Sequence, residues 1–218
     1  MARQYPFKED YFHDIDTPEK AYWLGFLAAD GGINPKNNTV QVNLAGRDIE
    51  HLRLFHRALD RNAPIYEVTS NYGTPVARLS IGSKQMVADL TRHGVGGAKS
   101  FTITPWETDA RHLIAPYWRG VFDGDGSIGK TAPHRRTGRL WYWRVSLSGS
   151  LPMARGFQSF VVEHGGTQGS IGPHAQIWKV AWGGINPPRI VANALYADST
   201  YPALARKLAL AREISQEH

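Results

Sequence analysis

A chain of 218 residues with 42% hydrophobic and 11% aromatic residues can bury a packed interior, which excludes global disorder. Without cysteine there are no disulfides or thiolate zinc sites, and no apolar run approaches the roughly 20 residues of a membrane span. The 25 basic residues outnumber 19 acidic ones, a formal charge of +6 that suits a polyanionic partner. The first ten residues lack the apolar core of a secretion signal, so the expected setting is intracellular: cytoplasm, nucleoid or an organelle.

Asp16-Thr17-Pro18 reads as a helix start, a capping side chain followed by proline in the first turn. The helix runs to Gly31, a residue type expected there for the left-handed conformation past a helix end. Trp23 to Ala29 are apolar on every side, which predicts a helix covered all round. Thr39 to Leu44 alternate as a half-buried strand, with Val40, Val42 and Leu44 inward. A helix follows over about 48–59, then strands near 65–70 and 76–81 and a helix over about 84–93. The join at about 94–111 is too hydrophobic for a loose linker, so the two halves should pack as one body.

The second half repeats this order: a helix over about 116–124, a strand from about Ser127, and a basic turn at 131–139 leading into the strand 141–147. A helix at 152–164, strands near 168–171 and 177–182, and helices at 188–196 and 203–214 complete it. Each half reads α-β-β-α-β-β-α. The repeat is also literal. Residues 22–33 and 117–128 match at Tyr22/Tyr117, Trp23/Trp118, Gly25/Gly120, Asp30/Asp125, Gly31/Gly126 and Ile33/Ile128, all at an offset of 95. Asn43 to Gly46 line up with Ser146 to Gly149, and Leu79 to Gly82 with Val180 to Gly183.

Each copy puts one carboxylate at the carbonyl end of an apolar helix, where the helix dipole disfavours it by a few tenths of a kcal/mol up to about 1. Two such ends side by side add mutual repulsion, which a divalent cation would reverse, since carboxylates and backbone carbonyls are hard oxygen ligands. Asp-Gly is also a common turn dipeptide, so either copy alone could simply end a helix. A calcium loop starting at Asp123 would need glutamate at its twelfth position, where His134 stands. Gly25 and Gly120 sit mid-helix at a cost of roughly 1 kcal/mol against alanine, and lacking side chains they let two backbones cross closely.

Trp23–Gly31 and Trp118–Gly126 resemble the nine-residue motif of the LAGLIDADG homing endonucleases in their single-chain, two-motif form. Glycine stands third, an acid eighth and glycine ninth in both, and the element order extends the resemblance over nearly the whole chain. The resemblance implies an α+β fold of two pseudo-symmetric domains, 1–105 and 106–218. Each would carry an antiparallel four-stranded saddle sheet lying along the major groove of double-stranded DNA, with the two motif helices packed at the domain interface. It further implies that Asp30 and Asp125, with Gly31 and Gly126, hold magnesium at the two scissile phosphates, and that cleavage leaves short 3′ overhangs. Lys99 and Lys207 match basic residues that stand beside the family's active sites.

On that fold, outward strand positions Gln41, Asn43, Arg78, Arg144, Ser146 and Lys179 suit base edges, and Arg135, Arg136 and Arg139 suit phosphates. Two departures stand out: the sixth motif position is Ala28 in one half and Asp123 in the other, and Gly46 and Gly149 replace a polar residue often found near the end of the second strand. With both motifs in one chain, a monomer without an obligate protein partner is expected. The rival reading is a non-cutting nucleic-acid-binding protein on the same fold, an intron maturase or a transcription regulator. An intein-embedded nuclease fits poorly, because the chain begins Met-Ala and ends Glu-His.

Overall fold

The computed structural model of the chain describes residues 4–70, 73–96, 102–131 and 141–217. In the first half α1 (Pro18–Asp30) leads into β1 (Gly31–Asn34), β2 (Thr39–Ala45) and α2 (Ile49–Ala58), then β3 (Tyr66–Thr69), β4 (Pro75–Gly82) and α3 (Lys84–Arg92). In the second, α4 (Ile114–Asp125) leads into β5 (Gly126–Thr131), β6 (Tyr142–Gly149), α5 (Leu151–Glu163), β7 (Ser170–His174), β8 (Ile177–Gly184), α6 (Asn186–Tyr196) and α7 (Ala205–Gln216). The second half thus repeats the order of the first and, as expected, ends in two helices, α6 and α7. Each half forms an antiparallel four-stranded sheet, ordered β1-β2-β4-β3 and β5-β6-β8-β7.

Local sequence explains the helix starts. Thr17 Oγ1 accepts from Lys20 N at 3.3 Å with Pro18 in the first turn, and Ser83 and Ser150 cap α3 and α5 in the same way. In β2 and β4, Val40, Val42, Leu44, Ala77, Leu79 and Ile81 are buried while Gln41, Asn43 and Arg78 are exposed. Helices cover the buried face of each sheet and leave the other open. Trp23 packs on Phe55 with ring centroids 4.7 Å apart, and Trp118 on Phe157 at 5.4 Å. Burying each such side chain is worth about 1.5–3 kcal/mol, so the motif helices anchor both cores.

Residues 21–28 of α1 are all buried, which bears out a helix covered all round. The helix packed against it is α4. A Cβ on Gly25 would lie 2.1 Å from Tyr117 O, and one on Gly120 would lie 2.0 Å from Tyr22 O. Only glycine permits backbones to approach so closely, and the two helices cross at these residues.

Two local expectations need correction. Gly31 is extended (φ −75°, ψ 131°), as is Gly126 (φ −82°, ψ 160°), because each opens a strand directly from the helix. Space, not handedness, requires glycine there: a Cβ would sit 2.6 Å from Leu27 O and 2.4 Å from Phe122 O. The pairing of the second half is also shifted. Gly31 faces Val42, but Gly126 faces Leu147 instead of the Val145 that the sequence alignment would place there. A shift of two residues keeps every side chain on its own face, so the core tolerates it.

Candidate nuclease site and nucleic-acid interface

Asp30 and Asp125 end the two crossing helices at the same end of the pair. The helices remain in contact to their last turn: the Cβ position of Gly124 is 2.3 Å from Ala29 Cβ and 3.4 Å from Asp30 Cγ. Asp30 is half-buried and Asp125 exposed. Asp125 lines a cavity of about 100 Å³ with Ala28 and Ala29 of the other half, Val121, and Ser148 and Gly149 at the end of β6. Ser148 therefore supplies a polar group at a place where the sequence alignment put only Gly149.

Lys207, on α7, does not project from the surface. It is buried, and its Nζ donates to Phe122 O (2.7 Å), Asp123 O (2.8 Å), Gly124 O (3.4 Å) and Gly126 O (2.7 Å). An ammonium under a helix C-terminus satisfies carbonyls that the helix leaves without partners and offsets the negative end of its dipole. Burial lowers the Lys207 pKa to about 8, against the pull of Asp123, Asp30 and Asp125, which favour its charge. The lysine thus lies beneath the paired carboxylates, locked to the turn that carries one of them. Gly126 O, a ligand expected from the resemblance, already accepts from this ammonium. Lys99, its counterpart in the first half, falls outside the described residues.

The odd sixth motif residue, Asp123, faces inward, as a position two residues before an exposed helical side chain must. Its carboxylate accepts from Tyr22 Oη (2.7 Å), Tyr196 Oη (2.5 Å) and Leu204 N (2.7 Å). Burial raises its pKa, opposed by the bonds from Tyr196, Leu204 and Tyr22. Tyr22 Oη donates to Asp123, so it accepts from His51 Nε2 at 2.8 Å; burial lowers His51 to about 4 and keeps it neutral. Asp123 is therefore a tie between halves. It is not a third carboxylate of the exposed site. Arg119, where the first copy has Leu24, is also buried and donates to the carbonyls of Leu195, Asp198, Tyr201 and Pro202. Sequence reasoning passed over Arg119, Tyr196 and His51; the one signal was a charged residue inside an otherwise apolar helix.

The expected base-reading residues all lie on the open sheet faces. Gln41, Asn43 and Arg78 are exposed on the first sheet, and Asn43 stands directly opposite Arg78. On the second, Arg144, Ser146 and Lys179 line a groove of about 590 Å³ with Ser127, Ser170 and His174. Ser146 is buried at the floor of that groove, with Ser127 and Ala181 as cross-strand neighbours. Lys179 Nζ lies 3.2 Å from His174 Nε2, so a residue missed in the sequence positions this ammonium on the open face. The exposed Tyr66, opposite Arg78 on β3, was missed as well. Arg135, Arg136 and Arg139 fall outside the described residues.

Among the described residues no group of three or more His, Cys, Asp or Glu could hold a metal ion, and no helix is long and apolar enough to cross a membrane. Two carboxylates without a wider protein cage suit magnesium, which keeps waters and takes further oxygens from substrate phosphates.

No protein-family model and no curated protein matches the chain. Solved structures do. The chain resembles the I-LtrWI LAGLIDADG homing endonuclease bound to target DNA with a TM-score of 0.61 at 10% identity, over 95% of this chain and 89% of that one. It resembles I-GzeII in complex with a DNA target at 0.60 and 12%, over 92% and 89%. It also resembles the N-terminal LAGLIDADG domain of DUF199/WhiA, not described as a nuclease, at 0.54 and 13%, over 88% and 91%. At this identity the likeness establishes the fold: over nine-tenths of its length the chain has the two-domain α+β fold of the single-chain LAGLIDADG homing endonucleases.

Proposed function

We infer that the protein is a sequence-specific DNA endonuclease that acts inside the cell as a monomer, makes a metal-dependent double-strand break and leaves short 3′ overhangs. The observation that carries this reading is the pairing of Asp30 and Asp125 at the joined ends of two glycine-crossed helices, between two sheets with polar open faces. Two carboxylates at two carbonyl ends oppose the helix dipoles, a cost that the one ammonium of Lys207 offsets only in part; a cation shared with substrate phosphates would give the arrangement a use. Magnesium held by Asp30 and Asp125 would activate water and stabilise the leaving oxygen of a phosphodiester.

The chain's own groups would do the rest. The glycine crossing sets the spacing of the carboxylates. Lys207 holds the turn after Asp125 and brings a positive charge close to both acids. Ser148, beside Asp125 in the small cavity, can hydrogen-bond a water there. The sheet faces bind DNA, with Arg144 and Lys179 on the second sheet and Gln41 and Arg78, the latter bonded to Asn43, on the first meeting bases or backbone.

The non-cutting reading draws on two observations: the same fold occurs in the DUF199/WhiA domain, and Gly126 O is occupied by Lys207. Incubation with a randomised duplex library and magnesium, with sequencing of cut ends and of bound but uncut duplexes, separates the two. Cut ends sharing one target, absent without metal and absent for Asp30→Asn, support the nuclease. Selection of bound duplexes with no cut ends would make the non-cutting reading correct.

A further inference from the structure

The residues expected to read bases separately are not independent. Antiparallel register puts Asn43 of β2 directly opposite Arg78 of β4, and Arg78 directly opposite Tyr66 of β3, so the three form one row across the open face of the first sheet. All three are exposed, and Arg78 Nε donates to Asn43 Oδ1 at 3.0 Å. That bond uses the inner edge of the guanidinium and leaves both terminal nitrogens, with four N–H donors, for a partner. It also occupies the amide oxygen that an adenine N6 amino group would need, so Asn43 in this pose is poorly placed to read adenine. In the second sheet Arg144, on the corresponding open face, stands opposite Gly129 and Gly183, so neither cross-strand neighbour offers it an amide. Lys179, opposite Ser148 and Gly172, is a point charge without a planar fork.

We propose that Arg78 reads one guanine in the target through its terminal nitrogens, and that Asn43 is a positioning residue that holds the fork for this interaction and reads no base itself. This inference rests on the reading of the protein as a sequence-specific DNA binder. A guanidinium held before binding loses less freedom on binding, and its bidentate match to guanine O6 and N7 is the pairing that discriminates best. Because the described residues of the second sheet hold no such unit, this guanine has no counterpart read in the same way by Arg144 or Lys179, which makes the target asymmetric at that position.

The test is a base-preference profile of the whole protein on all single-base variants of the duplex it selects from a randomised library, measured as binding in calcium without cleavage. Arg78→Ala should lower the preference for guanine at one position about tenfold to a hundredfold. Asn43→Ala should lower it about twofold to tenfold at that same position. Asn43→Asp, which keeps the acceptor, should restore it, and Asn43→Ala should add nothing in an Arg78→Ala background. Circular dichroism of each variant confirms that the exposed substitutions leave the fold intact. A uniform loss of affinity in Arg78→Ala would make Arg78 a phosphate ligand and overturn the proposal. So would a changed preference at a different position in Asn43→Ala, or an effect that persists without Arg78. If the parent protein selects no sequence at all, the reading of its function fails first; if it selects one without this guanine, only the present inference fails.

Discussion

Replacing Gly120 by alanine tests whether the helix crossing governs both stability and chemistry. The added Cβ would lie 2.0 Å from Tyr22 O and 2.7 Å from Phe26 N, both backbone atoms that no rotamer change can move. Ordinary van der Waals packing needs separations of roughly 3.5 Å, so α1 and α4 must part by about 1 Å or more. Overpacking of this kind costs typically about 1–3 kcal/mol, and here the upper part of the range applies because the obstacle is main chain. Alanine returns about 1 kcal/mol of helix propensity, leaving a net loss of about 2 kcal/mol. Gly25→Ala meets Tyr117 O at 2.1 Å and should cost the same. The double variant should cost clearly less than the sum, because helices parted for one methyl have already made room for the other. Gly129→Ala, with nothing within 4 Å of its Cβ position, is the control and, inside β5, should leave stability unchanged or raise it by up to about 1 kcal/mol. Urea unfolding followed by circular dichroism gives the midpoints and slopes. Since the same parting moves Asp30 away from Asp125, cleavage should fall further than DNA affinity in each variant. Single costs below about 0.5 kcal/mol, or costs that simply add, would refute the close crossing.

Three further outcomes rest on the same geometry. Asp30→Asn and Asp125→Asn should each abolish double-strand cleavage with DNA affinity kept and stability changed by less than about 1 kcal/mol, since relief at the helix end is offset by weaker attraction to Lys207; strand-specific labels will show any residual nicking, and parental cutting by either variant would sink the paired-carboxylate mechanism. DNA affinity should fall steeply with salt, and alanine at 135, 136 and 139 should flatten the log–log slope by about 0.9 for each phosphate that is no longer neutralised; an unchanged slope would remove those three arginines from the interface. For His51 the folded pKa of about 4 lies below the ordinary 6.5, so between these values the unfolded chain binds the proton and the folded chain does not. Stability from this group is complete above pH 6.5 and declines by about 3 kcal/mol as the pH falls to 4, a decline that His51→Gln should remove from a pH series of urea midpoints.

Much of the fold was legible because it repeats. A covered apolar helix, a glycine in its middle and an acid at its end, seen twice at one offset, predict two helices that cross and two carboxylates that meet. Period-two alternation placed Val40, Val42 and Leu44 inward and Gln41 and Asn43 outward, and the structure agrees. The register was not legible. Sliding one strand by two residues leaves the alternation unchanged, so nothing in the residue pattern signals that Gly126 faces Leu147 where Gly31 faces Val42. The use of Gly31 and Gly126 was misjudged for a related reason: glycine is read from sequence as a conformational signal, whereas here it is a matter of volume next to Leu27 and Phe122.

The charged residues inside the second half were harder still, because residue type argues for the surface. Lys207 and Arg119 are buried only because main-chain carbonyls converge on them, from the end of α4 for the lysine and from residues 195–202 for the arginine. Those carbonyls belong to segments far away in sequence and carry no side-chain signature. Asp123 could be seen as an asymmetry, since Ala28 stands in its place in the first half, but its direction could not. It ends up between Tyr22 of one half and Tyr196 of the other, within the helix end whose carbonyls, its own included, Lys207 grips. The two motif helices therefore differ in what they turn inward while sharing the acid at their ends. Asp125 follows a helix end tied by Asp123, Tyr22, Tyr196 and Lys207, and α4 also turns Arg119 inward; at the positions of Arg119 and Asp123 the first motif has Leu24 and Ala28, so these two polar anchors are not repeated there. Any difference in how fast the two strands are cut should be sought in that inward-facing support, not in the identity of the paired acids, which the two motifs share.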